Sequence, residues 1–465
     1  MPLRSPNQNP ILALCPIGKF VFSHEDAVRH KQLIQKKLSD LDVAFVDLEN
    51  VLPDGIVRSQ EHVKAVVKHF KGKDLDALFL PHCNFGTEGA AAMISRELGV
   101  PALLWGPRDE APLPDGTRLR DSLCGLFATS RVFRTLGVPF TYIENCRIDD
   151  KTFAQGLDIF LRASNVARLF RRGMRIGHVG QRIDFFWSTI VNEAELLEKF
   201  KVEILPLDMV ECIRHVKDRA TRNASGYQEE LANWRKKAVI EDTGDEKFIL
   251  LLALRDQLMA YVADHGLDAL AVQDFSSLSD ALGVYDFFTV SLVAEHVPFG
   301  LESDIHGAIT CAMLRRAALD KEPTFLADVT ARHPTDDNGV LLWHAGAPPS
   351  MLRPGSEIRV GRHWILPSPV GGMPHFPLKD GHITVVRFDG CRGEYQLVVG
   401  EADTIAGPHT LNNYLWARVK DWPAWERILI EGPFIHHMGM AYGSYASALY
   451  EACKYVPMLH PIQLP

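Results

Sequence analysis

Apolar positions along the first third of the chain alternate between two spacings. Short continuous apolar runs, typical of strands buried on both faces, are separated by longer segments in which apolar residues recur every three or four positions. Ser23 opens the first of these helical segments and Asp26 follows three residues later, an arrangement similar to a capping box. Strands that alternate with helices predict a doubly wound parallel sheet, which we assign to an N-terminal α/β domain of residues 1–165. The predicted strands are residues 11–18, 42–49, 75–82, 101–107 and 140–146.

The same alternation returns after a long helical stretch at residues 151–171. A second series of apolar strands alternates with helices and ends with a helix at residues 307–319. This pattern predicts a second doubly wound α/β domain, residues 166–319. Its strands are predicted at residues 174–180, 201–208 and 267–274.

The pattern changes beyond residue 320. Runs such as "GVLLWHAGA", "HITVVRF" and "EYQLVVGEADTIAG" read as strands, and Gly, Pro and Asp separate them as turn residues do. Residues 320–465 are therefore predicted to form a β-rich C-terminal domain closed by a helical segment. The expected fold class is α/β, with two doubly wound parallel-sheet domains followed by this β-rich domain.

Composition narrows the class of partner. The 465 residues carry a formal net charge of −8, which disfavours a nucleic acid or an anionic membrane as partner, since both need a basic face. The apolar run "FILLLAL" is far shorter than the roughly 20 residues that span a bilayer, and no secretory signal is evident. The eight cysteines are scattered without a Cys-x-x-Cys pair, which favours free thiols in a reducing compartment. We therefore expect a cytoplasmic protein.

Ionisable residues interrupt apolar segments at four places in the second half of the chain. Glu302 ends an apolar stretch, Asp328 lies in "FLADVT", His344 lies in "LLWHAG", and His436 and His437 lie in "GPFIHHMGM". A buried carboxylate or imidazole must be paired, neutral or bound to a cation. Each residue alone is more often structural than functional. If they converge, the oxygen-rich set suits Mn²⁺, Mg²⁺ or Co²⁺ better than a structural zinc.

A family resemblance rests on four segments that follow one another in the C-terminal half: "GLESDIHGAIT", "FLADVT", "LLWHAGAPP" and "GPFIHHMGMAYG". Their order and spacing, after two α/β units, resemble the L-fucose isomerase / L-arabinose isomerase superfamily. The resemblance implies that Glu302 and Asp328 bind Mn²⁺ and also form the acid/base pair. It implies that His437 is the C-terminal histidine ligand and that His344 is the further histidine of the arabinose branch. Mg²⁺ and Co²⁺ are the alternative ions.

The resemblance also implies an assembly. Members of this superfamily form trimers or hexamers in which the first domain of a neighbouring subunit helps close the substrate site, so we expect a homotrimer or homohexamer. Asp328 in place of a glutamate is fucose-like, whereas the chain length is near that of arabinose isomerases. The segment "CNFGTEGAAAMISRELGVPALLWGPRDE" departs from both enzymes. The chain thus looks like a divergent branch that acts on a small-molecule sugar.

Four further residues are candidates for binding that sugar: Gln273, His436, Arg108 and Trp105. Gln273 ends a predicted strand of the second unit, and Trp105 and Arg108 end one of the first, the edge where α/β sheets bind ligands. The alternatives are a turn role for Gln273 and a salt bridge to Glu110 or another carboxylate for Arg108. Asp304 and His306 are expected to support Glu302 or to cap the following helix.

The expected function is a metal-dependent aldose–ketose isomerase that works through an enediolate. Three alternatives stay open at this point. One is a structural or regulatory homologue that has lost its metal, and the retained carboxylates and histidines count against it. The same site could serve epimerisation or carbon–carbon cleavage of a sugar or sugar acid, or the chain could be a non-catalytic sugar-binding protein. A binder does not need the metal ligands, so the metal content distinguishes these classes.

Overall fold

The computed structural model describes residues 9–274, 276–366 and 370–465. The chain forms two compact units. The first ends at Arg168 and also includes Lys454–Val456, and the second contains Leu169–Cys453 and Pro457–Pro465. The predicted domain boundaries near residues 165 and 319 stay predictions.

The first unit is a five-stranded sheet in which every pairing is parallel, with strand order β2-β1-β3-β4-β5. Since β1 lies between β2 and β3, the chain winds in both directions from it, as the alternation of strands and helices predicted. Its elements in chain order are β1 (Leu12–Leu14), α1 (His24–Asp40), β2 (Phe45–Val46), α2 (Val63–Lys71), β3 (Ala77–Pro81), α3 (Glu88–Leu98), β4 (Ala102–Trp105), α4 (Ser122–Thr135), β5 (Phe140–Tyr142) and α5 (Lys151–Arg172), which runs on past Arg168.

The predicted helix start at Ser23 is confirmed. The hydroxyl of Ser23 accepts a hydrogen bond of 3.2 Å from the backbone N–H of Asp26, which satisfies one of the free donors of the first turn of α1. Ala27, Ile34 and Leu38 follow at helical spacing and are buried against the sheet. The cap at Ser23 and the buried face of α1 therefore both match the helix predicted from the sequence.

The second unit begins with a four-stranded parallel sheet of order β10-β9-β6-β7. Short turns at the carboxyl ends of its strands lead into helices, and α12 packs against β9, β10, β15 and β18. The elements of this part are β6 (Met174–Val179), α6 (Glu193–Phe200), β7 (Val202–Leu207), α7 (Met209–Arg222), α8 (Ala224–Trp234), β8 (Ala238–Ile240), α9 (Asp245–His265), β9 (Ala269–Val272), α10 (Ser277–Leu282), α11 (Phe287–Ala294), β10 (Phe299–Gly300) and α12 (Ile305–Ala317).

A ten-stranded mixed sheet forms the rest of this unit, with order β19-β16-β15-β18-β11-β12-β17-β14-β13-β8. A further pairing of β16 with β17 closes the six antiparallel strands from β16 to β17 into a barrel. The remaining elements are β11 (Phe325–Arg332), β12 (Gly339–His344), β13 (Ile358–Gly361), β14 (Met373–Pro377), β15 (His382–Cys391), β16 (Glu394–Ile405), β17 (Asn413–Arg418), α13 (Trp422–Glu431), β18 (His437–Tyr442), α14 (Ala446–Ala452) and β19 (Leu459–Gln463).

β8 is among the strands that the pattern read from the sequence does not predict. The segment after α8 was expected to pass directly into an apolar helix, but Ala238–Ile240 forms β8 and pairs in parallel with β13. The region before residue 320 thus contributes a strand to the C-terminal sheet. The fold class is otherwise as predicted: mixed α/β with two parallel sheets and a β-rich C-terminal part.

The expectations for the cysteines and for membrane-spanning segments can be compared with the structure. All eight cysteines lie in the described ranges as free thiols, six of them buried. Among the described residues, none of the helices combines the length and the apolar character that crossing a bilayer requires.

Gly125 of α4 gives a test of the packing in the first unit. A Cβ built at this position would overlap the carbonyl oxygen of Phe85, which belongs to the backbone and cannot rotate away. We expect Gly125→Ala to lower the free energy of unfolding by about 1–3 kcal/mol, because an overfilled core must shift its backbone. Thermal and urea unfolding followed by circular dichroism measure the change.

Gly72→Ala is the matched control for this prediction. Gly72 follows α2 with φ −80°, which any residue adopts, and a Cβ there would have no neighbour nearer than 3.7 Å. We expect the free energy of unfolding of this variant to be close to that of the parent protein. Equal stability of the two variants would contradict the close approach of α4 to Phe85.

Candidate metal centre

Glu302 reaches the site from a strained turn. It lies in the 3-10 turn Leu301–Ser303 directly after β10, with φ 59° and ψ 28°, a left-handed conformation uncommon for a residue with a side chain. Its backbone N–H donates to both carboxylate oxygens of Asp274, at 3.2 and 3.1 Å, just beyond the end of β9. Such strain persists only where the surroundings fix it, and it concentrates at functional sites. The turn directs the Glu302 side chain toward the ends of β11 and β18.

Asp328 and His437 meet because of strand register. Asp328 of β11 is the direct cross-strand partner of His437, the first residue of β18. Directly opposed residues of an antiparallel pair carry their side chains on the same face, with Cβ atoms about 4.5–5.5 Å apart. His344 is the last residue of β12, which pairs with the other edge of β11. Three neighbouring strands therefore deliver three of the predicted ligands.

The four side chains form one compact group. His437 Nε2 lies 3.3 Å from Glu302 Oε2 and 3.4 Å from Asp328 Oδ1. His344 Nε2 lies 3.6 Å from Asp328 Oδ1 and 3.9 Å from Glu302 Oε1. The side chains of His437 and His344 are 1% and 6% exposed, and those of Glu302 and Asp328 are 13% and 16% exposed. The convergence expected from the sequence is present.

His436 lies at the rim of this group. Its side chain is 47% exposed, and its Nε2 is 3.8 Å from Asp328 Oδ1. The exposed ring is therefore positioned to meet a ligand that enters from solvent, whereas the neighbouring His437 ring is enclosed.

Buried polar atoms without partners indicate that this group fits a cation. Asp328 Oδ1, His437 Nε2 and His344 Nδ1 are buried and have no hydrogen-bond partner. Two overlapping sets of ligand atoms have the spacing of a metal site: Glu302 with His344 and His437, and Asp328 with His436 and His437. Unpaired buried donors and acceptors are costly, and a divalent cation beside Asp328 Oδ1 and His437 Nε2 would satisfy both of these atoms. Carboxylate oxygens with imidazole nitrogens are a donor set that suits Mn²⁺.

The pKa values of these side chains are shifted by their burial and by the charges beside them. Burial, with Glu302 nearby, raises the pKa of Asp328 to about 7. Burial by itself would lower the pKa of His437, but the hydrogen bond to Asp304 and the closeness of Glu302 outweigh it and raise that pKa to about 10. Burial and the neighbouring His437 hold the pKa of His344 well below its usual range. In the absence of a cation, protons are thus retained on this group to offset the crowded carboxylates.

Asp304 both caps a helix and supports a side chain of the group, the two roles expected from the sequence. The side chain that it supports is His437 rather than Glu302. Its Oδ1 accepts a hydrogen bond of 2.8 Å from the N–H of Gly307 and so caps α12. Its Oδ2 lies 2.9 Å from His437 Nδ1. A proton on Nδ1 donated to this carboxylate leaves Nε2 free toward Glu302 and Asp328. His306 instead has its Nδ1 2.9 Å from Asp389 Oδ1.

Gln273 lies at the edge of a polar cavity in the second unit. The cavity has a volume of about 1260 Å³, opens at the carboxyl ends of β6, β7 and β9, and is also lined by Ser303, the neighbour of Glu302. Gln273 is half-buried there. This is the edge at which a parallel sheet binds ligands, so the predicted contact of Gln273 with a sugar stays a prediction with a suitable location.

Trp105 and Arg108 belong to the first unit. Trp105 is fully buried, with its ring 4.7 Å from that of Phe153, and its indole N–H points to Cys146 Sγ at 3.4 Å. This is the environment of a core residue, and it lends no support to a sugar contact. Arg108 is exposed, which is compatible with its predicted role.

Two residues that hold this group in place were not assigned that role from the sequence. Asp274, which holds the Glu302 turn, directly follows Gln273, and a carboxylate at a strand end was its available signal. Arg387, which binds Asp304, lies in a strand that was predicted only as "HITVVRF". Charged residues at alternate positions of that apolar strand, Arg387 and Asp389, were the signal for a buried ion pair.

Several known proteins are similar to this chain. The family described as "Fucose/sulfoquinovose isomerase, N-terminal domain" matches residues 14–171. Proteins named sulfoquinovose isomerase from Priestia aryabhattai and Priestia megaterium are each 27% identical over 411 residues, which cover 87% of this chain and 88% of theirs. One from Alkalicoccus urumqiensis is 24% identical over 317 residues, covering 67% of this chain and 69% of its own.

Solved structures give only distant similarities. A periplasmic solute-binding protein from Actinobacillus succinogenes with bound D-allose covers 58% of this chain and 80% of its own, at 13% identity and a TM-score of 0.17. A galactofuranose-binding protein covers 61% of this chain and 79% of its own, at 12% identity and a TM-score of 0.16. The family match over residues 14–171, these relatives and the four C-terminal motifs together support a fucose isomerase-like protein.

Proposed function

We propose that this protein, a sugar isomerase of the fucose isomerase family, interconverts an aldose and its ketose with the help of a divalent cation. The observation that carries the proposal is the convergence of Glu302, Asp328, His344 and His437, with ligand atoms within 4 Å of one another across several contacts. We take Mn²⁺ as the ion because of the mixed carboxylate and imidazole donors, with Mg²⁺ and Co²⁺ as alternatives. Glu302, Asp328, His437 and His344 would hold it.

The ion would supply the positive charge that stabilises oxygen anions on C1 and C2 of the open-chain sugar. The protein supplies the proton transfers. One of the two carboxylates, Glu302 or Asp328, removes the proton from C2 of the aldose, which gives an enediolate. The other carboxylate, or the same one, returns a proton to C1. The hydroxyl oxygen O2 loses its proton, and O1 gains one.

The sugar chain beyond C2 would extend away from the four ligands. Gln273 lines the cavity to which Ser303, the neighbour of Glu302, also belongs, so the Gln273 side chain is placed to hydrogen-bond a sugar hydroxyl. His436, half exposed beside Asp328, is placed to bind a hydroxyl near the reacting carbons. The predicted homotrimer or homohexamer, with a neighbouring subunit's first domain closing the site, is kept as part of the proposal, as is the cytoplasmic location.

We further propose sulfoquinovose as the aldose. The support is the name of the similar proteins from Priestia and Alkalicoccus, which align with most of this chain. We expect ketose formation from sulfoquinovose to be faster than from L-fucose or L-arabinose when Mn²⁺ is present. Nuclear magnetic resonance of the products distinguishes a ketose from an epimer or a cleavage product. Turnover of L-fucose at the higher rate would contradict the choice of sugar but not the isomerisation.

Glu302→Gln tests the assignment of the acid/base pair. An amide of the same size cannot accept the C2 proton, so we expect turnover to fall by about 10²–10⁴-fold, the usual contribution of such a group. Isomerase assays measure turnover, and circular dichroism checks that the variant is folded. Glu198→Gln, on the exposed face of α6, is the control and should keep full activity. Near-normal turnover of Glu302→Gln would refute the assignment.

Metal analysis tests the cation. We expect about one Mn²⁺ per chain in protein purified with Mn²⁺, loss of activity after chelation and dialysis, and recovery when Mn²⁺ is added back. Since a bound ion stabilises the folded state, Mn²⁺ should also raise the melting temperature. His437→Ala should abolish this rise, whereas His460→Ala, at an exposed position of β19, should keep it. A metal-free protein that binds sugars without converting them would instead favour the non-catalytic alternative.

A further inference from the structure

Arg387 is a fully buried charge in the wall of the barrel. It lies in β15 between apolar neighbours, and its side chain is 0% exposed. Its guanidinium forms two hydrogen bonds to Asp304, of 2.5 Å from Nη1 to Oδ2 and 3.1 Å from Nη2 to Oδ1. Its Nε donates to Asp389 Oδ2 at 3.0 Å. The guanidinium is thus held between two buried carboxylates.

Stability alone is a weak reason for such an arrangement. Taking a guanidinium and two carboxylates out of water costs several kcal/mol per ion, and well-packed apolar side chains often stabilise a core equally well. A buried, bidentate arginine does, however, fix the position and orientation of a carboxylate with high geometric specificity. The question is therefore what the fixed carboxylate of Asp304 does.

Asp304 links the arginine to the metal centre. Its Oδ2 receives Nη1 of Arg387 and, at 2.9 Å, faces Nδ1 of His437. The side chains of Asp304 and Arg387 are each 0% exposed, so water cannot replace either contact. A carboxylate held in this place can only accept a hydrogen bond. It therefore keeps the proton of the His437 ring on Nδ1 and directs Nε2 to Glu302 and Asp328, 3.3 and 3.4 Å away.

We propose that Arg387 is a positioning residue for the metal centre, which acts through Asp304 to hold the His437 ring with Nε2 available to the cation. The inference rests on the proposed function in one respect, namely that the site binds a divalent cation. It adds that the affinity for the ion depends on a residue in β15 that touches neither ion nor substrate. Outer partners of this kind typically change metal affinity by about 10–100-fold when they are removed.

The test compares Mn²⁺ binding by the full-length protein and by Arg387→Met, which keeps most of the side-chain volume and removes the charge. Electron paramagnetic resonance of free Mn²⁺ gives the dissociation constant, and thermal melting of the metal-free proteins reports stability separately. We expect Arg387→Met to weaken Mn²⁺ binding by about 10–100-fold. Arg387→Lys keeps a charge but loses the paired contacts. Its Mn²⁺ dissociation constant should lie between those of the parent protein and of Arg387→Met. The lysine variant carries the test if the methionine variant fails to fold.

Asp389→Asn is the matched control. It removes the other carboxylate that binds the same guanidinium, at similar depth, but leaves Asp304 and His437 in contact. We expect it to lower the melting temperature of the metal-free protein while the Mn²⁺ dissociation constant stays within about twofold, far below the change that loss of a positioning partner causes.

The outcomes separate this inference from the proposed function. If Arg387→Met, or the lysine variant in its place, binds Mn²⁺ as tightly as the parent, the positioning role is wrong and the proposed metal site stands. Equal weakening by Asp389→Asn also overturns it, because a general loss of packing would then be the cause. A parent protein that binds no Mn²⁺ overturns both. A parent that binds Mn²⁺ but converts no aldose overturns the reaction alone.

Discussion

Two carboxylates that flank one histidine in a mostly buried space are the constraint on which the geometry of the candidate site depends. Glu302 and Asp328 both lie within 3.5 Å of His437 Nε2, and neither is more than 16% exposed. Like charges on either side of one imidazole repel where water is scarce, so the arrangement favours positive charge between them. Protonated His437 can provide it, but a divalent cation provides twice the charge in the same volume and satisfies more of the unpaired atoms. This crowding therefore fits the cation that we propose.

The scaffold imposes this crowding through elements that cannot easily adjust. Glu302 comes from a turn whose left-handed backbone is tied to Asp274, and Asp328 and His437 are fixed by the register of β11 and β18. A one-residue slip of β11 against β18 would move Asp328 to the other face of the sheet. Closure of the six strands into a barrel leaves little freedom for such a slip. The geometry of the site is therefore a property of the sheet rather than of flexible loops.

The sequence predicts those parts of the molecule that depend on local signals. The strands and helices of the first unit follow from apolar spacing and from caps such as Ser23, and Glu302, Asp328 and His437 stand out because ionisable residues interrupt apolar runs. β8 could not be predicted, since three residues acquire strand structure only by pairing with a distant β13. Trp105 was predicted to contact a ligand because it lies at a strand end, and this stays a prediction. Its large ring packs in the core against Phe153, a contact that the sequence pattern does not reveal.

The contact between Asp304 and Arg387 explains why the support of the site was harder to predict than the site itself. A ligand must be a carboxylate or an imidazole in an unusual place, so its residue type carries the signal. A supporting partner is defined by what it touches, and Asp304 touches His437 only after α12, β15 and β18 have packed together. Asp304 alone is a plausible helix cap, and Arg387 alone is a charge in a strand. Their joint effect on the His437 ring arises from tertiary structure, which is why motifs identify the ligands of a metal site more readily than the residues that orient them.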